Sequence, residues 1–210
     1  MYENTRLAVA LRMGRAATGM KQQEFSDLIG VTKAMVARNE KQDLAMRAEM
    51  LVRMIFVMTK RRVQLDVFST LDSVVFYTDR GNFQAIAVRV TRGALGLNQQ
   101  EFGDWVGVSK SMIARGERDG GDLKSSAMTK ISQAAFEIGI KIGYPSIVKD
   151  LTVEVGPKAI AMLAARQGGN SGEIELPEDL VPLTMQDIVD RKHRDGFKKV
   201  AHKFGESDGT

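Results

Sequence analysis

The chain has 210 residues, 43% of them hydrophobic and 27% charged, with a net charge of +4, which is the balance of a folded globular protein. No apolar run approaches the ~20 residues that cross a bilayer. The absence of Cys excludes disulfides, thiolate zinc sites and Cys nucleophiles. The opening MYENTRLAVALRMGR lacks a cationic stretch, apolar core and cleavage site, so a cytoplasmic protein with no membrane partner is expected.

An internal repeat organises the elements. Shifting the chain by 77 positions aligns AVALRMGRAATGMKQQEFSDLIGVTKAMVARNEK (8–41) with AIAVRVTRGALGLNQQEFGDWVGVSKSMIARGER (85–118), with 18 of 34 pairs identical and no gap. An amphipathic first helix is expected over 5–18 and 82–95, stopped at Gly19 or Gly96. Lys21 or Asn98 opens a second helix through Leu28 or Trp105. Gly30 or Gly107 ends it with a left-handed turn, which costs glycine no Cβ clash. Thr32 or Ser109 is suited to cap a third helix running to about Glu40 or Glu117. Two further helical turns follow, through about Lys60 and Glu137.

The same register then lays VQLDV (63–67) on IKIGY (140–144) and VVFYT (74–78) on LTVEV (151–155). These segments read as a β-hairpin in each unit, with a loop of about six residues, or else as helix ends and loops. Residues 1–78 and 79–156 thus form two units, followed by a C-terminal extension over 157–210. In that extension PKAIAMLAARQ reads as a helix stopped by Gly168-Gly169, GGNSG as a flexible linker, and 184–204 as a second helix capped by Thr184. Its role is either a loosely docked tail, a dimer contact or an auxiliary DNA contact.

Helix, three-residue turn with Gly, helix is the helix-turn-helix pattern. The string Q-x-x-F-x-x-x-x-G-V-[ST]-x-x-x-[VI]-x-R-x-E occurs twice and resembles the Cro/repressor-type (XRE-like, lambda-repressor-like) helix-turn-helix domains of phage and bacterial regulators. The resemblance covers roughly 5–60 and 82–137. It implies a mainly α fold: two lambda-repressor-like helix-turn-helix bundles in tandem, each followed here by a small hairpin, with a helical tail.

The resemblance also implies a set of contacts to a double-stranded DNA operator. Gln22 and Gln99 match the residue that opens the second helix and touches the DNA backbone or a base edge, beside Lys21 and Asn98. Thr32, Lys33 and Ala34, with Ser109, Lys110 and Ser111, match the start of the recognition helix in the major groove. Arg38 and Arg115 match a later groove-facing position, with Lys41 and Arg118 just beyond. Arg15 with Glu40, and Arg92 with Glu117, match a structural ion pair. Physical reasons agree: a helix N-terminus offers free N–H groups to phosphate, and Arg grips guanine bidentately. The alternative for Lys33 and Arg38 is an ordinary solvated charge.

The expected function is therefore a sequence-specific repressor or activator, of phage, mobile-element or bacterial type, working as a homodimer. Glu24, Asp27, Glu101 and Asp104 form either an acidic face for RNA polymerase or a plain solvated one. The other functional class is an antitoxin-like or polymerase-binding interaction protein in which one helix-turn-helix serves protein contact; the acidic, Gly-rich loop 119–122 favours it. No enzyme, metal site or cofactor is expected: the only His, His193 and His202, lie nine apart, and no phosphate loop or nucleophile–base pair stands out. The short C-terminal third and the absence of any Ala-Gly pair also argue against self-cleavage of the phage-repressor kind.

Overall fold

A computed structural model describes residues 2–145 and 150–168, all within one contact unit spanning Met1–Ile174. The expected helix from Thr184, the histidines and most of the GGNSG segment lie outside the described residues. Among the described residues the fold is mainly helical, with nine helices and one small antiparallel sheet.

The first repeat contributes α1 (Glu3–Thr18), α2 (Gln22–Ile29), α3 (Lys33–Glu40), α4 (Ala48–Thr59), β1 (Val63–Asp66) and β2 (Val74–Thr78). The second contributes α5 (Phe83–Leu95), α6 (Gln99–Val106), α7 (Lys110–Gly116), α8 (Ser125–Glu137), β3 (Ile140–Gly143) and β4 (Leu151–Val155). α9 (Pro157–Gly168) follows and packs on α1, burying Ala159, Ile160, Met162 and Leu163. Gly30 and Gly107 end α2 and α6 at φ 70° and 65°, as a left-handed turn requires. Thr32 Oγ1 and Ser109 Oγ accept from the N–H of Met35 and Met112, so both expected caps are present.

Two expectations change. The segment after the third helix is a helix of 12 residues in α4 and 13 in α8, over three turns rather than two. Nor is α1 one-sided: Thr5, Arg6, Ala8 through Gly14, and Ala17 are buried around most of its circumference. A helix covered all round needs apolar or well-paired residues on every side. Here the second repeat supplies the extra cover, because α1 packs against α5 as well as against its own bundle and the sheet.

The hairpins join into a single sheet in the order β1-β2-β4-β3. Val63, Leu65, Val74, Phe76, Leu151, Val153 and Val155 alternate with more exposed residues, so one face lies on the helices and the other faces outward. Within the hairpins Val63 lies opposite Thr78 and Ile140 opposite Val155, the same register 77 residues apart. Between them Val74 pairs with Val155 and Thr78 with Leu151, which brings Phe76 opposite Val153, its own repeat mate.

Candidate nucleic-acid interface

A buried polar knot sets the position of α3. Arg15 forks onto Glu40, with Nε at 2.5 Å from Oε1 and Nη2 at 3.0 Å from Oε2, and its Nη1 donates to Met20 O at 3.2 Å. Gln22 Nε2 donates to the same carboxylate at 2.7 Å. The second repeat reproduces the knot: Arg92 meets Glu117 at 2.5 and 3.1 Å and Leu97 O at 2.9 Å, and Gln99 donates at 2.7 Å. The Glu40 and Glu117 side chains are only 7% and 8% exposed, so each depends on these partners. The knot fastens the end of the first helix and the start of the second to the end of the third. It also turns the amide nitrogens of Gln22 and Gln99 inward.

A second arginine adds a bolt between the halves. Arg12, 7% exposed, donates to Glu40 O at 2.6 Å, Gly93 O at 3.2 Å and Ala94 O at 2.9 Å. Burial lowers its pKa to about 10, outweighing the attraction of Glu40 that would raise it. Its repeat mate Arg89 donates from Nη1 to Glu117 O at 2.9 Å and to Asp119 Oδ1 at 3.2 Å, while its Nε has no partner.

On this scaffold the anticipated contact residues face outward. Lys33 and Ala34 open α3, Arg38 lies in its last turn and Lys41 caps its C-terminal end; all four are exposed, as is Thr32. In α7 the corresponding Ser109, Lys110, Ser111, Arg115 and Arg118 are exposed, with Ser109 Oγ and Ser111 Oγ 3.2 Å apart. Lys21 and Asn98 are exposed at the start of α2 and α6. Gln22 and Gln99, half-buried in the knot, stand apart from that exposed set.

The acidic residues of α2 and α6 have local work. Glu24 and Glu101 accept from the N–H of Lys21 and Asn98, and Asp27 and Asp104 accept from Gln23 and Gln100. In the loop after α7, Asp119 accepts from both Arg89 and Asn82.

Two further pairs of cations escaped the sequence reading. Arg47 and Lys124 are the residues immediately before α4 and α8, and Arg53 and Lys130 donate to Gly30 O and Gly107 O at 3.2 and 3.1 Å. All four lie outside the 34-residue aligned block, but each pair is basic at the same 77-residue shift, and that was the available signal. With Lys33/Lys110, Arg38/Arg115 and Lys41/Arg118 they make five exposed basic pairs in register. Among the described residues, Lys33, Arg38, Lys41, Arg47 and their mates make no ion pair.

No protein-family model, curated protein or solved structure matches this chain. Among the described residues no group of three or more His, Asp or Glu is placed to hold a metal ion, and no helix is long and apolar enough to cross a membrane.

Proposed function

We propose that the chain is a sequence-specific double-stranded DNA-binding transcription regulator, built from two tandem helix-turn-helix units that use α3 and α7 as major-groove recognition helices. The observation that carries this reading is the twofold recurrence of one set of exposed basic residues. A capped helix begins with short side chains and a lysine, an arginine follows five residues later, and three more cations flank it, all kept at a 77-residue shift. Solvated charges with no common task have no reason to keep register, whereas phosphate and base contacts must. Short side chains at the start of the third helix let its backbone approach a groove, and Arg38 and Arg115 have the reach and fork for guanine. The buried knots hold each helix at a fixed angle, as readout by a few side chains demands.

Selection from a random duplex library, followed by titration of Arg38→Ala and Arg115→Ala over a range of salt, tests the reading. A defined site should emerge. Each substitution should cost ~1–3 kcal/mol on it and relax preference at one base pair. Recovery of no site would refute it, and loss for the α3 substitution alone would assign the second unit to protein contact.

A further inference from the structure

Taking the DNA-binding reading as its footing, we infer that one chain, without a second copy, occupies an inverted-repeat operator whose two half-sites are unequal. Tandem units can be placed by translation, which gives direct repeats on DNA, or by a two-fold rotation, which gives inverted ones. The sheet decides for rotation. β2 and β4 are repeat mates, they run antiparallel, and Phe76 lies opposite Val153, the residue 77 positions on. A residue facing its own mate marks a two-fold axis.

The helices agree independently. A Cβ on Gly93 would lie 2.6 Å from the Cβ of Ala16, again its mate. The contacts around that crossing are reciprocal, with Arg12 beside Gly96 and Arg89 beside Gly19. The axis that passes through these two places carries α3 onto α7, and a duplex relates inverted half-sites by the same kind of dyad.

The axial pairs also say why a second copy is not needed. Two identical subunits put the same residue on both sides of a two-fold axis. Here each axial pair is large against small: Phe76 against Val153, both fully buried, and Ala16 against Gly93. First half against first half would set Ala16 against Ala16, at the spacing that excludes a second methyl, and would crowd two Phe76 rings. Second half against second half would leave a gap at both places. The complement to each half is the other half, already present in the chain.

The readers differ too. Ala34 offers a methyl to the groove, which suits thymine C5-methyl, whereas Ser111 offers a hydroxyl that both donates and accepts. The half-sites therefore differ at the base pair this position faces.

Native mass spectrometry and anisotropy titrations on duplexes built from the selected half-sites test this directly. The inverted arrangement should bind one chain per duplex, and the direct arrangement should bind at least about a hundredfold more weakly, as a single half-site does. Ser111→Ala, at an exposed helical position, should select a more symmetric site. Two chains per inverted duplex, equal binding of direct repeats, or an unchanged site for Ser111→Ala would each overturn the inference while leaving DNA binding intact. Failure to select any site would instead refute the DNA-binding reading beneath it.

Discussion

In the first half of the molecule Arg12 reaches three backbone carbonyls, two of them on α5 across the crossing; in the second half Arg89 turns to Glu117 O and Asp119 and leaves its Nε unpartnered. The ion-pair knots behind them are nearly superimposable in partners and distances. The contrast separates two kinds of constraint. Residues that hold the third helix in place within one unit do the same work twice and are alike in both halves. Residues at the crossing answer to each other, and in a single chain the two sides can diverge into complements. The third helices nonetheless differ at one buried position: Asn39 is buried where α7 has Gly116, and Leu123 comes so near Gly116 that a Cβ would lie 2.4 Å from it.

Breaking the knots should have the largest effect on stability. Removal of Glu40 or Glu117 strands an arginine, and well-buried pairs of this kind cost ~3–5 kcal/mol to break. Arg15 and Arg92 are 26% and 23% exposed, which places these two at the lower end. Glu117→Ala should lower the melting temperature of the whole described body in one transition, because the α1–α5 crossing and the sheet join the two halves. Lys110→Ala should leave calorimetric melting nearly unchanged while weakening DNA binding. Two separate transitions would show that the halves fold independently.

The crossing comes next. Gly93→Ala adds a methyl 2.6 Å from Ala16 Cβ and 3.1 Å from Arg12 O, and overpacking of this kind costs ~1–3 kcal/mol. Combining it with Ala16→Gly exchanges the axial pair and should recover most of the loss in denaturant titrations. Absence of recovery would place the two residues apart.

A smaller effect is expected at the entries to α2 and α6. Asn98 Oδ1 accepts from the N–H of Gln100 and Glu101 at 2.8 and 3.0 Å, whereas Lys21 provides no side-chain cap. Lys21→Asn should therefore stabilise the protein, by about 1 kcal/mol in chemical denaturation, if the first half can adopt the second half's cap. No gain would mean that the α2 entry differs in backbone as well as side chain.

The smallest effect concerns Asp66, whose repeat mate is Gly143. The N–H of Ser69, foremost, and of Phe68 hold its carboxyl below the usual carboxylate range, at 2.9 and 3.0 Å. A depressed folded-state pKa means that this contribution is present above the ordinary carboxylate range and is lost as pH falls through the folded value. Asp66→Asn should flatten the acid limb of the stability profile slightly, and an unchanged limb would show that the contact is not made in solution.

Much of each unit was legible in the sequence because its signals are local. The positions of Gly30, Thr32, Gly107 and Ser109 gave the helix boundaries to within a residue or two, and the alternation in VVFYT and LTVEV gave β2 and β4 at the residues observed. Whether the hairpins pair within the chain or across a dimer, and the α1–α5 crossing, were left open by the sequence, since both depend on contacts far apart in the chain. The burial of Arg12 was not legible either, and its recurrence as Arg89 in an otherwise apolar stretch is the trace it leaves in the sequence. The inward turn of Gln22 and Gln99 was equally hidden, because a resemblance in sequence names the position and not the rotamer.

If one rigid body presents α3 and α7 to one duplex, the spacing between half-sites is fixed. Affinity is measured on the selected site and on versions with five and ten base pairs inserted at its centre. Five pairs turn one half-site to the opposite face, and ten restore the face at a longer distance. With α1, α5 and the sheet fixing the separation, both insertions should reduce binding to that of a single half-site, a loss of about a hundredfold or more. Indifference to five pairs would show that only one unit reads DNA, and recovery at ten would show two units on a tether, contradicting the shared core.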